Sequence, residues 1–331
     1  MQPETLDFEE PISVLLKEIS AMQLMARTEE RHQEIESLRR RIDLMRRELY
    51  LNLTPWQRVL VARHPSRPHM LDYVKRLFTD FVEIHGDRRF ADDPAIITGF
   101  ARLAGEEVMI VGHEKGRGTR DKIYRNFGYA KPEGYRKALR AMKLAEKFGR
   151  TVVVFVDTPA AYPGAESEER GMAEAIAYNL REMAMLEVPI VVIIAGEGGS
   201  GGALGLAVGD QLLIQEYAVF SVIPPEGCAA ILWRNTERKA EAAEALKLTA
   251  QDLLAMNVVD EIIPEPAGGA HTDHEAAASL VDIRLRLAAT KTRMLTKDER
   301  LERRYLKFRK MGSIGISELL SRDVGREPER S

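Results

Sequence analysis

Two stretches of this chain are almost entirely aliphatic. Residues 152–156 read Val-Val-Val-Phe-Val, and residues 188–195 read Val-Pro-Ile-Val-Val-Ile-Ile-Ala. A strand with one wet face alternates apolar and polar residues, so a strand without alternation must be covered on both faces. Covering both faces takes helices on two sides of one sheet, which is the α/β architecture with mostly parallel pairing. The surrounding pattern agrees. Strands are expected over 96–103, 108–113, 152–157, 190–196, 211–215, 219–223 and 258–263. Helices are expected over 134–148, 172–186, 202–208, 227–233 and 240–246. This α/β core spans about 91–270.

Outside the core the periodicity is helical. Leu15, Ile19, Met22, Ile35, Leu38, Ile42, Met45 and Leu49 recur at threes, fours and sevens among Glu and Arg, so residues 1–90 read as a helical segment, a lid or an oligomer strut. Pro55, Pro65 and Pro68 break it into pieces. A charge-rich helical segment follows the core over 271–310, and the polar stretch 311–331 is expected to be disordered.

Composition removes several classes of function. The net charge of -3 gives no basic field for nucleic acid. Cys228 is the single cysteine, which excludes an internal disulfide and a four-cysteine zinc site. His113, His271 and His274 have no metal-like spacing, so no metal is expected. No apolar run approaches the ~20 residues of a membrane helix. The acidic start has no basic segment of a signal peptide. A reducing, cytoplasmic setting is the expectation.

Chemistry concentrates where the second aliphatic run ends. Gly196-Glu197-Gly198-Gly199-Ser200-Gly201-Gly202 holds five glycines in seven residues between a strand and a helix. Glycine admits φ > 0 and close approach of a ligand to the main chain. The first N–H groups of a helix have no internal partner and attract negative charge. The segment therefore reads as a main-chain anion or oxyanion site. Other motifs compete for it. Gly196-x-Gly198-x-x-Gly201 fits a dinucleotide fingerprint with Glu216 as ribose ligand, but it lies late in the core. Gly198-x-Ser200-x-Gly202 fits a nucleophile elbow, with Asp260 and His271 as partners, though it lacks the HGGG-type loop. A Walker A loop is excluded, since no Gly-Lys-Ser/Thr closes the run. Ala141-Met142-Lys143-Leu144 echoes a biotin attachment motif but sits in a helical pattern, not on a hairpin tip.

Two further loops follow strands. Asp157-Thr158-Pro159-Ala160-Ala161-Tyr162-Pro163-Gly164 is stiffened by its prolines and could present main-chain amides. The acids after it, Glu166, Glu168 and Glu169, suit a helix start. Lys115, Arg117 and Arg120 cluster in a glycine-containing loop suited to phosphate or carboxylate, or simply to water.

The stretches LDYV, FGYAKPEGYRKALR, DTPAAYPG, EERG, AIAYNLREM, GEGGSGGAL, VIPPEGCAAILW and IIPEPAGGAH, in this order, resemble the alpha subunits of bacterial acetyl-CoA carboxylase carboxyltransferases over about residues 6–310. Ala160 stands where that family's loop has glycine. The resemblance implies a crotonase-like superhelix of ββα units. It implies transfer of a carboxyl group from carboxybiotin, on a biotin carboxyl carrier protein, to acetyl-CoA, giving malonyl-CoA for fatty acid biosynthesis. It implies a beta subunit in an α2β2 unit, with zinc in that subunit only, and biotin carboxylase in the larger complex. In that setting Gly201 and Gly202 are the expected oxyanion donors, and Gly198 and Gly199 shape the turn. Ala160, Ala161 and Tyr162 line the opposite wall, and Lys115 and Arg117 are further substrate-binding candidates. The biotin enolate can itself take the methyl proton, so no side-chain base is required. The rival readings are another crotonase-like acyl-CoA enzyme acting alone, a serine hydrolase using Ser200, and a non-catalytic scaffold.

Overall fold

A computed structural model describes residues 6–24 and 28–312. Four helices come first: α1 (Glu10–Gln23), α2 (Glu29–Leu51), α3 (Pro55–Ala62) and α4 (Met70–Leu77). Then follow β1 (Phe78–Glu83), β2 (Ile96–Leu103), β3 (Glu106–His113), α5 (Gly118–Tyr124), α6 (Pro132–Lys147), β4 (Thr151–Thr158), α7 (Ala165–Glu169), α8 (Met172–Met185), β5 (Ile190–Gly199) and α9 (Ser200–Leu204). The rest comprises β6 (Gln211–Gln215), β7 (Val219–Ser221), α10 (Pro225–Trp233), α11 (Lys239–Ala245), α12 (Ala250–Ala255), β8 (Glu261–Ile263), α13 (His274–Arg293) and α14 (Lys297–Lys310).

The strands form one eight-stranded sheet in the order β1-β2-β3-β4-β5-β6-β8, with β7 also paired to β5. Pairing is antiparallel from β1 to β3 and parallel from β3 to β8. The two aliphatic runs are its centre, and every position of β4 and β5 is buried. Alternate side chains serve opposite faces. Val152, Val154, Val156, Ile190, Val192 and Ile194 pack with Tyr135, Ala138, Met142 and Ala145 of α6. Val153, Phe155, Val191, Ile193 and Ala195 pack with Tyr73 of α4 and with Val281, Leu285 and Ala289 of α13. Each face thus has the helical cover that the missing alternation demanded.

The N-terminal helices hold a small core of their own. Ile12, Leu15, Ile19 and Ile42 meet between α1 and α2. The Tyr50 hydroxyl donates to Glu9 at 2.7 Å, tying the end of α2 back to the start of α1.

Three local readings need correction. Residues 78–83 fall in the region read as helical, yet they form β1. The apolar residues Leu77, Phe78 and Phe81 continue the spacing of α4, while β1 is an edge strand buried fully only at Phe78. The helix expected over 202–208 is Ser200–Leu204 instead. Strand β8 begins at Glu261 rather than 258. The expectation of disorder over 311–331 lies outside the described residues from 313 onward. Among the described residues no helix is long and apolar enough to cross a membrane.

Candidate active site

Because β3, β4 and β5 run parallel, their C-terminal ends open onto one edge of the sheet. The glycine turn leaves that edge from β5 into α9. Its glycines answer a demand for space rather than for left-handed backbone. None of Gly196, Gly198, Gly199, Gly201 and Gly202 has positive φ; Ser200 carries it instead, at 50°. A Cβ on Gly196 would lie 2.5 Å from Asp157 Oδ1, and one on Gly199 would lie 1.7 Å from the Pro159 carbonyl. On Gly198 it would meet the Phe220 ring at 2.6 Å, and on Gly202 it would meet Ala160 C and Ala161 N at 2.4 Å. Gly201 differs, since its Cβ would meet nothing nearer than Ile176 Cδ1 at 3.7 Å.

The turn is therefore clamped against the loop after β4. That loop is itself fixed. The Tyr162 N–H donates to the Ala130 carbonyl at 2.9 Å, and Thr158 Oγ1 lies 2.7 Å from Gly128 O and 2.8 Å from Ala160 O. Lys131 Nζ stands 4.8 Å from the centre of the Tyr162 ring. Ala160 is not among the residues of positive φ, so a side chain where the related loop has glycine costs no backbone strain. Gly198, Gly199 and Gly202 thus come together with Thr158–Ala161.

Orientation of the amides follows from the hydrogen bonding. The Gly205 N–H donates to Gly201 O at 2.9 Å. In a trans peptide the N–H opposes the C=O, so the Gly202 N–H points out of the start of α9. Beside it opens a recess of about 530 Å³, bordered by Ser200 and Gly201 and lined mainly by Leu204, Phe220, Leu246, Met256 and Phe308, with Lys247 also on its lining. Val222 on the recess, and Ile231 and Leu232 on α10, are exposed.

Beneath the turn lies a buried charge network. Lys115 Nζ stands 2.6 Å from Asp157 Oδ1 and 3.5 Å from Glu197 Oε2. Arg63 bridges Glu197 at 2.7 Å and Glu226 at 2.6 Å. The Glu197 N–H donates to Asp157 Oδ1 at 2.8 Å. Burial alone would lower the Lys115 ammonium, but Asp157 and Glu197 outweigh it and hold it above its usual value. Burial would likewise raise Asp157, and Lys115 reverses this. Both stay charged, and Lys115 is occupied by the chain's own carboxylates. Arg117 turns away from the glycines. It donates to the carbonyls of Pro65 and Arg67 at 3.1 and 2.9 Å and pairs with Asp72 of α4.

The competing motifs are not assembled. Asp260 accepts from the Leu212 N–H at 2.6 Å and pairs with Lys307. His271 stacks on His64 with ring centres 3.9 Å apart. Neither contacts Ser200, so the elbow has no relay. Glu216 accepts from the Glu265 N–H at 3.1 Å, next to β8. Lys143 lies on α6 and pairs with Glu146 and Glu182. Among the described residues, no group of three or more His, Cys, Asp and Glu could hold a metal ion.

Sequence reasoning missed His113, Tyr135, Asn179 and Arg63. Each is an ordinary residue in its own stretch, and only the topology brings it behind or beneath the turn. Burial pushes His113 down to about 4, so its ring is neutral.

An open-edged sheet of this topology, with a clamped glycine turn leaving its parallel strands, defines the crotonase-like class. A Pseudomonas malonate decarboxylase hetero-tetramer, solved with coenzyme A, contains a similar chain: TM-score 0.56, 17% identity, covering 71% of this chain and 93% of that one. A sequence-family profile described as acetyl co-enzyme A carboxylase carboxyltransferase-like matches residues 5–312. The chain is 54% identical over 307 residues to the acetyl-coenzyme A carboxylase carboxyl transferase subunit alpha of Geobacter metallireducens, covering 92% of this chain and 96% of that protein. It is 53% identical over 311 residues to the protein of the same name from Syntrophotalea carbinolica, covering 93% and 98%. This chain belongs to the acetyl-CoA carboxylase carboxyltransferase alpha family.

Proposed function

We propose that this chain is the carboxybiotin-handling subunit of an acetyl-CoA carboxylase carboxyltransferase, with the Gly201–Gly202 turn as its oxyanion site. The observation that carries the reading is the outward-facing Gly202 N–H at the start of α9, with an apolar recess bordered by Ser200 and Gly201 beside it. Loss of the carboxyl group leaves negative charge on the ureido oxygen of biotin. Two fixed amides stabilise such charge more than the ground state and cost no reorganisation. The recess, apolar and roomy, suits the thioether ring and aliphatic arm of the same group. No side chain at the turn is free to act as a base, and the biotin enolate can take the methyl proton of the acetyl group itself. Gly198 and Gly199 shape the turn, and Ala160, Ala161 and Tyr162 form the facing wall. Lys115, paired with Asp157 and Glu197, holds the base of the turn in place.

Half a site is present in this chain. A beta subunit, bearing zinc and most of the coenzyme A contacts, completes an α2β2 unit. The biotin carboxyl carrier protein delivers the substrate from biotin carboxylase, all in the cytoplasm. Malonyl-CoA decarboxylation with free biotin tests this. Turnover is expected only when beta is added. Turnover of CoA thioesters by the chain alone would overturn it in favour of a self-contained acyl-CoA enzyme.

A further inference from the structure

The Gly202 N–H shares its peptide with the Gly201 carbonyl, which the Gly205 N–H holds, so the peptide on the other side of Gly202, joining it to Ala203, is what else sets the aim of the turn. Helix α9 is too short to do so by itself. After Leu204 its ladder shifts: the Leu206 N–H donates to Ala203 O at 3.1 Å and the Ala207 N–H to Leu204 O at 3.0 Å. The Gly202 carbonyl is passed over. It accepts instead from the hydroxyl of Tyr135, at 3.0 Å. Tyr135 lies on α6 with no exposed surface.

The contact is built from both sides. Gly205 lets the ring lie against α9, since a Cβ there would stand 2.9 Å from Tyr135 Cε1. Asn179 of α8, also buried, reaches the carbonyls of Tyr135 and Gly205, both at 3.1 Å. One amide thus ties α6, α8 and the end of α9 together. Burial raises the phenol far above its ordinary range, so it remains protonated and a donor. The neutral ring of His113 stands edge-on to Tyr135, with centres 6.5 Å apart.

We propose that Tyr135 is a positioning residue of the reaction: its buried hydroxyl, by holding the Gly202 carbonyl, fixes the Gly202–Ala203 peptide and so restricts the rotation about Gly202 that would turn the adjoining Gly202 N–H off its aim. This rests on the oxyanion reading of the turn. A hydroxyl is the right group for the task, because it supplies the one donor that the interrupted helix omits. Its removal takes a hydroxyl donor from a buried acceptor and lets the peptide tilt.

Tyr135→Phe deletes the oxygen and keeps the ring. Two readouts are taken on it: hydrogen exchange across 199–206 in the isolated chain, and carboxyl transfer by the chain assembled with its beta subunit. Met142→Ala, a cavity in the same helix away from the turn, shows what plain destabilisation does. The expected result for Tyr135→Phe is faster exchange confined to 199–206, kcat lower by about five- to tenfold, and KM for both substrates within about twofold. Met142→Ala should show lower thermal stability without a change confined to the turn. Unchanged exchange in Tyr135→Phe overturns the positioning role and leaves the oxyanion reading standing. Faster exchange with unchanged kcat overturns both. Should Tyr135→Phe fail to fold, 3-fluorotyrosine at 135 keeps the hydroxyl and shifts its donor strength; a kcat indifferent to it overturns the role.

Discussion

Gly201 and Gly202 are chemically identical neighbours with opposite surroundings, and this separates what each contributes. A Cβ on Gly202 meets main-chain atoms of Ala160 and Ala161 that cannot yield, whereas one on Gly201 makes only ordinary contact with Ile176. Gly202→Ala should therefore spread the two walls and cost ~10²–10³ in turnover, the usual loss of one oxyanion donor. Gly201→Ala should stay within a few-fold of the parent. Gly201→Pro, which removes the N–H outright, should fall as far as Gly202→Ala. Transfer assays on the complex with beta, together with pull-down of beta, check the set. Equal activity of Gly201→Ala and Gly201→Pro would mean that the Gly201 amide donates nothing. The loss should lie in turnover rather than in KM, because the charge arises beyond the ground state.

Helix α14 shows how one buried pair can secure an element. Arg304, 1% exposed, forks onto both oxygens of Asp210 at 2.8 Å and donates to the carbonyls of Met183 and Leu186, which end α8. Asp210 in turn accepts from the Ile190 N–H at the start of β5. Arg304→Met would leave the buried Asp210 carboxylate without its cation and would free the carbonyls of Met183, Ala184, Leu186 and Val188. A loss of about 3–5 kcal/mol is expected, measured by urea unfolding; a loss below 1 kcal/mol would show the clasp to be ornamental. Elements were legible in the sequence where one pattern ruled them. Strands β2 and β6 match their expected limits residue for residue, because each apolar run is bounded by turn residues. Strand β1 was hidden because its apolar residues prolong the phase of α4. Helix α9 was misplaced because glycine carries no periodicity. The turn itself stood out by composition, but its reason did not: glycine suggested positive φ or close approach of a ligand, whereas here it makes room for Pro159, Ala160 and Phe220. Tyr135 and Asn179 could not have been found, since partners 67 and 26 residues distant in sequence decide their roles.

At the scale of the whole molecule, the buried histidines make folding sensitive to acid. Burial holds His113 down to about 4, and burial together with His64 and nearby cations holds His271 down to about 3. Their unfolded forms titrate near 6.5. Both contribute stability that is complete above about pH 6.5 and is lost as pH falls toward the folded values. Between pH 7.5 and 5 the loss is about 2 kcal/mol per ring. Asp93 works in the opposite sense, since burial pushes it up to about 6 and it takes up its proton in the folded state first. It returns about 1 kcal/mol over the same range. Net destabilisation on acidification is expected in urea unfolding, and His271→Gln should flatten it; equal pH slopes in parent and variant would exclude His271 as a cause. The open recess has a different consequence. Val222 is exposed on an apolar hollow of about 530 Å³, and Ile231 and Leu232 are exposed on α10. Chains made in excess of whatever covers that surface carry sticky patches into a crowded cell. With the beta subunit proposed above as that cover, an imbalance of gene dosage should surface as aggregates before it surfaces as lost enzyme.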